Sequence, residues 1–303
     1  MHKKEPELKI AIAWNAFTAC FEQSFEQKIP VLGKPEDLTN YDLIIFSGGE
    51  DISPAFYDGS RDLSFGINPE RDTFERDTFA YCRQLGKKTL GVCRGHQLIN
   101  AVMGARFVQD LRFVENINHS LWHSLQSIDS DFIGHFTSVN SMHHQGISTG
   151  GGRLRFTSFH GKGKSGNYIV ESSENEHIVT TQFHPEFMEN DESKEFFRKI
   201  KKWVVEKPSK KSKKYHEDWP SFIDEIRTPQ VQEVRTRDIQ WVTTEGNINT
   251  TINNNEENRN ERIDLEDINT RRPGETTSAW INRRQEFSEE HNITLPSIFH
   301  DLR

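Results

Sequence analysis

Three short apolar runs constrain this chain more than any other feature. Residues 8–14 (LKIAIAW), 41–47 (YDLIIFS) and 88–92 (KTLGV) are mostly apolar rather than strictly alternating, the pattern of strands covered on both faces. Helix-length polar segments separate them. Residues 15–29 carry Phe17, Phe21 and Phe25 at a four-residue spacing that aligns them on one helical face. Residues 69–85, with Phe74, Phe79, Tyr81 and Leu85, read as an amphipathic helix stopped by Gly86, and residues 94–103 as a further helix ending at Gly104. Strand, turn and helix in alternation predict an α/β fold, layered around a mainly parallel sheet. Beyond residue 105 short strands dominate, at 136–139, 154–159, 168–171 and 178–183, before a last amphipathic helix at 191–205 capped by Asp191.

Composition marks where that pattern stops. Apolar residues make up roughly 37% of the first 205 positions and about 24% of the remainder, too few for the latter to bury a core of its own. The reading is a catalytic domain over 1–206 and a polar C-terminal extension over 207–303. The extension opens with the basic run Lys207–Lys214, continues through an Asn-rich stretch at 244–262, and carries Trp219, Trp241 and Trp280, a pattern that suits partial disorder or docking onto a partner or onto the domain itself. A formal net charge of −8 argues against a dedicated nucleic-acid binder. No run is long and apolar enough for a membrane span, and the N-terminus lacks the features of a secretory signal. Three cysteines cannot all pair, which suits free thiols in a cytoplasmic setting.

The segment richest in chemistry is Gly91-Val-Cys93-Arg94-Gly95-His-Gln97. Here a cysteine ends a buried strand and opens a helix. Such a turn exposes the sulfur above the sheet edge, and the helix N-terminus favours thiolate over thiol. The Arg94 backbone N–H then points where an oxyanion would form. Small residues at 91 and 95 suit a crowded elbow. The other two thiols, Cys20 and Cys82, fall on apolar helical faces and read as core residues.

Two further segments complete a reaction centre. His184-Pro-Glu186 follows a strand, so His184 can serve as the base beside a thiol while Glu186, two residues on, orients the imidazole. Ser47-Gly48-Gly49-Glu50-Asp51 follows another, and its glycines let a backbone N–H approach a reacting carbonyl as a second oxyanion donor.

Taken in order, Gly48-Gly49, then Gly91-x-Cys93-x-Gly95-x-Gln97, then His184-Pro-Glu186 resemble the class I glutamine amidotransferases. The segments Ser47–Pro54, Asn68-Pro-Glu-Arg71-Asp72 and Val139-Asn140-Ser141-Met-His143-His144-Gln145 narrow the resemblance to the γ-glutamyl-γ-aminobutyrate hydrolase branch of the peptidase C26 family. The resemblance spans about residues 8–205. It implies a flavodoxin-like three-layer sandwich, a Cys93–His184–Glu186 triad, and oxyanion donors at the Gly49 and Arg94 backbone. The activity implied is hydrolysis of a γ-glutamyl amide through a thioester on Cys93, without a cofactor.

A γ-glutamyl substrate also presents an α-carboxylate and an α-ammonium. Candidates to read them are Gly48, Gln97, Asn140, Ser141, His143 and His144 on one side, and Glu50 or Asp51 for the ammonium. Two other functions fit the same residues. One is a glutaminase component that passes ammonia to a synthase partner, with the extension available for that contact or for self-association. The other is a non-catalytic scaffold built on the same fold. His119 and His123 stand four apart, a spacing that on a helix could hold a metal, but no further ligand lies near them in sequence and the mechanism requires none.

Overall fold

The computed structural model describes residues 8–206, except 58–63, 118, 120, 121 and 129; the extension over 207–303 lies outside the described residues. The three apolar runs form β1 (Ile10–Ile12), β2 (Leu43–Phe46) and β3 (Lys88–Val92), which pair in parallel in that order. Next to β3, and parallel to it, lies β11 (Ile178–Thr181). Beyond β11 the sheet turns antiparallel through β10 (Tyr168–Glu174), β8 (Gly146–Gly151) and β4 (Ala105–Val108). β9 (Arg155–Lys162) pairs with β10 and with the short β6 (Gln126–Ser127), while β5 (Trp122–Ser124) and β7 (Ser138–Asn140) form a separate two-stranded sheet.

Side-chain alternation along the parallel strands separates two cores. Ile10, Ile12, Leu43, Ile45, Leu90, Val92 and Val179 face α1 (Thr18–Phe25) and α5 (Asp191–Val205) through Phe21, Phe25, Phe196 and Ile200. Ala11, Ile44, Phe46 and Ile178 face α2 (Pro69–Gln84) and α3 (Arg94–Val102) through Phe79, Cys82, Leu98 and Ile99. Helices on both faces of a sheet with a parallel centre give the α/β sandwich expected from the sequence. Among the described residues no helix is long and apolar enough to cross a membrane.

Several local expectations are corrected. The first helix is shorter than predicted: it starts at Thr18 because Phe17 takes φ 58 at its cap, yet Phe17, Phe21 and Phe25 still enter one core. The α5 cap is Asn190, whose side chain accepts the Ser193 N–H at 2.9 Å, and Asp191 sits in the first turn instead. α2 departs from the expected pattern at both ends. Arg71, Asp72 and Glu75, near its start, are buried, whereas Tyr81 and the cap residue Leu85, near its end, are exposed. Ion pairing permits this, because buried charges are tolerated when they are matched.

Candidate active site

Cys93 sits between β3 and α3 with φ 52 and ψ −103. A non-glycine residue holds such a backbone only when its surroundings over-determine it. Here they do. The Cys93 N–H donates to the Thr181 carbonyl at 2.8 Å, so the turn is pinned to β11. At Gly95 a Cβ would collide with the Phe46 carbonyl, so α3 can lie this close to β2 only with glycine there. The elbow therefore rests on two neighbouring strands and holds the sulfur at the carboxyl ends of β3 and β11.

His184 follows β11 and precedes a 3-10 turn at Pro185–Phe187. Its Nδ1 lies 2.7 Å from Glu186 Oε1, the ring stacks on Phe187 at 4.8 Å, and Phe17 meets it edge-on at 5.9 Å. On its other side the ring interacts with the Cys93 side chain. Burial alone would lower the His184 pKa. The charges and hydrogen bonds of Cys93 and Glu186 overcome it and raise the pKa to about 10. Gly48 lies against the same ring, where a Cβ would come within 2.5 Å of Cε1.

Asn140, at the end of β7, grips the backbone of His184 twice. Its Nδ2 donates to the His184 carbonyl at 2.9 Å, and its Oδ1 accepts the His184 N–H at 2.8 Å. The amide that the sequence offered for substrate reading is thus committed to the histidine.

Beneath the glycine loop lies a buried charge network that sequence reasoning missed. Arg71 Nη2 donates to the Gly48 carbonyl at 2.9 Å and the Ser47 carbonyl at 3.2 Å; its Nη1 reaches Glu50 at 2.8 Å and its Nε reaches Glu75 at 3.0 Å. The Arg94 guanidinium pairs with Glu75 and Asp72. Burial pushes the Glu50 carboxyl up, but Arg71 and then Arg94 hold it below its ordinary range. Gly49 adopts φ 152, and Arg71 Nη1 fills the place its Cβ would take. A trans peptide sets its C=O and N–H in opposite directions. By holding the Gly48 carbonyl, Arg71 fixes the side to which the Gly49 N–H points. The one available signal was Asn68-Pro-Glu-Arg71-Asp72, a charged run that by pattern alone reads as a solvated helix start.

The remaining candidates fall into three groups. Asp51 accepts from His144 Nε2 at 2.9 Å and from the Phe65 N–H at 2.8 Å, and His144 Nδ1 lies 3.3 Å from Asp110. Burial lowers the His144 pKa, but these two carboxylates leave it raised. Gln97 Nε2 donates to the Gln145 carbonyl at 3.1 Å and to Gln182 at 3.3 Å. Ser141 and His143 join a cluster around Glu171, in which His119, His143 and Glu171 are, among the described residues, placed so that they could hold a metal ion.

The family model for peptidase C26 matches residues 28–186, more than half of the chain. A Lactococcus lactis protein described as glutamine amidotransferase-like, YvdE, is 34% identical over 172 residues, covering 50% of this chain and 71% of the relative. Protein NtpR of Enterococcus hirae is 28% identical over 173 residues, 50% of this chain and 70% of that protein. The crystal structure of a Thermoplasma acidophilum protein, described as one component of a GMP synthase, is similar in fold with a TM-score of 0.50 at 17% identity, covering 67% of this chain and 96% of that one.

Proposed function

Because the chain belongs to the peptidase C26 family, with a relative described as glutamine amidotransferase-like, we propose that it hydrolyses a γ-glutamyl amide through a thioester on Cys93. One observation carries this reading: a cysteine held at a strained strand–helix turn beside a histidine that a buried carboxylate orients at 2.7 Å.

The steps follow from the geometry. Cys93 thiolate attacks the δ-carbonyl of the γ-glutamyl group. The oxygen that becomes negative is met by the backbone N–H of Gly49 and of Arg94, the latter at the start of α3, where N–H groups lack intrahelical acceptors. Protonated His184 gives its proton to the departing amine, so the C–N bond breaks and a thioester forms. Neutral His184 then takes a proton from water as the water attacks the thioester; the C–S bond breaks, glutamate leaves, and the Cys93 thiolate beside protonated His184 is restored. Glu186 keeps the imidazole oriented throughout and balances its charge. Burial of His184 and Cys93, both nearly inaccessible to solvent, strengthens each of these electrostatic contacts.

The test is glutamate release by the purified full chain, without any partner, from glutamine, γ-glutamyl-aminobutyrate, a folate polyglutamate and a γ-glutamyl nucleotide amidate. Turnover of at least one, abolished in Cys93→Ala, is the expected result. No release from any of them overturns the reading.

A further inference from the structure

Four imidazoles and one carboxylate converge on the far side of the Asn140–Gln145 loop, and the triad uses none of them. His119, His123 on β5, His143, and His160 on β9 stack around Glu171 on β10. The His119 ring centroid lies 4.4 Å from that of His143, 4.5 Å from that of His123 and 5.0 Å from that of His160. His119 Nε2 is 3.0 Å and His123 Nε2 is 3.8 Å from Glu171 Oε1. The ligand atoms of His119, His143 and Glu171 all lie within 4.8 Å of one another. The side chains of His119, His123 and Glu171 are 4%, 3% and 0% exposed.

Among the described residues the hydrogen-bond accounting of this cluster does not close. His143 Nδ1 lies 2.6 Å from the Gln145 carbonyl and His123 Nδ1 lies 3.1 Å from the Ser124 carbonyl. A carbonyl only accepts, so in both rings the proton sits on Nδ1 and Nε2 carries a lone pair. Among the described residues no donor reaches His143 Nε2, His123 Nε2 or Glu171 Oε2, all of them buried. Two nitrogen lone pairs and a carboxylate facing one another in a dry site repel unless something positive lies between them.

We propose that His119, His143 and Glu171 form a site for a divalent transition cation of the zinc type. Two imidazole nitrogens and one carboxylate oxygen are a donor set suited to such a cation. Tetrahedral bonds of about 2.0–2.2 Å place ligand atoms roughly 3.3–3.5 Å apart, and the ligand atoms of His119 and Glu171 stand 3.0 Å apart with that of His143 within 4.8 Å of both. The outer partners are in place too. The Gln145 carbonyl orients the His143 ring, and Ser141 Oγ bonds to His119 Nδ1. Three protein ligands leave the fourth position of such a cation to water. The site links β10 to the loop that begins at Asn140, and Asn140 holds His184. Sequence spacing exposed only the His119–His123 pair. The fold supplies His143 and Glu171 from 20 or more residues away.

Equilibrium dialysis of the full chain against zinc, followed by metal analysis, should find one tightly held cation per chain. His143→Gln and Glu171→Gln should each weaken binding by at least tenfold. X-ray absorption of the zinc-loaded wild-type protein should show only nitrogen and oxygen neighbours, near 2.0–2.1 Å. This reading stands even where a variant fails to fold. Absence of binding at micromolar zinc, binding undiminished in folded variants, or a sulfur neighbour near 2.3 Å, which would place the ion on a cysteine, each overturns the proposal.

Discussion

Asn140 and His184 are joined by two hydrogen bonds that run in opposite directions, from the asparagine amide to the histidine carbonyl at 2.9 Å and from the histidine N–H to the asparagine oxygen at 2.8 Å. The pair fixes the backbone from which the imidazole projects, independently of the bond that Glu186 makes to the ring. Asn140→Ala leaves the His184 N–H without its acceptor in the interior, while the His184 carbonyl keeps the Phe187 N–H at 3.2 Å. An orphaned buried N–H costs about 1–3 kcal/mol, so the melting temperature should fall. In protein kept below that temperature, kcat should fall about 100-fold through displacement of the ring, with KM little changed. Asn140→Ala with wild-type kcat would show that the clamp does not position the base.

Arg71 acts on the opposite side of the centre. Arg71→Lys keeps a charge but cannot reach Ser47, Gly48, Glu50 and Glu75 together, because an ammonium lacks the planar fork. The Gly48–Gly49 peptide loses its anchor, and kcat should drop about 10²- to 10³-fold, the usual cost of one oxyanion donor. Arg71→Ala goes further, leaving Glu75 partly uncompensated at 0% exposure, for a loss of about 3–5 kcal/mol of stability. Chemical denaturation and steady-state kinetics separate the two effects.

The three thiols should differ sharply in reactivity. Burial pushes the Cys82 thiol up to about 12, so it stays protonated and inert in the folded protein. A glutamine-like diazo-ketone should modify Cys93 stoichiometrically and leave Cys82 and Cys20 untouched, as peptide mapping by mass spectrometry will show. Equal labelling of all three in native protein would remove the case for a special environment at Cys93.

The state of His184 sets an alkaline limit on turnover. Its pKa is raised to about 10, so the proton-donating form persists below that pH and is lost above it. The alkaline limb of kcat/KM should centre near pH 10 rather than near the ordinary histidine value of about 6.5. Glu186→Gln removes one of the charges that raise it, so the limb should move to lower pH. A limb centred below 8 in the wild type would contradict this electrostatic account.

The contrast between what could and could not be read from the sequence has a physical basis. The β1–β3 runs, the Cys93 turn and His184-Pro-Glu186 are local patterns, and the fold preserves them because strand burial and turn geometry depend on neighbours in sequence. β8 was invisible. Its sequence, GISTGG, has little strand propensity, and pairing with β10 and β4 holds it in place. The α2 charges were misjudged for a related reason. Arg71, Asp72 and Glu75 belong to a polar-looking helix until Arg94, from the next helix, arrives to match them. The histidine cluster draws on four separate segments, a convergence that no spacing rule encodes.

The pairing of β11 with β3 works as a ruler. Thr181 stands opposite Val92, so the two strands release Cys93 and His184 at one edge although a long stretch of chain separates them. A strand advances about 3.3 Å per residue and alternates its faces. A slip of one residue would carry His184 out of reach of the sulfur and aim it into the opposite layer. Apart from β10 and the Asn140 clamp, the segments between α3 and β11 are therefore free to lengthen, shorten or be exchanged during divergence, which allows pockets for new leaving groups to be tried without resetting the reaction. The short register from Ile178 to Thr181 admits no such freedom, and an insertion there should silence the protein even if it folds.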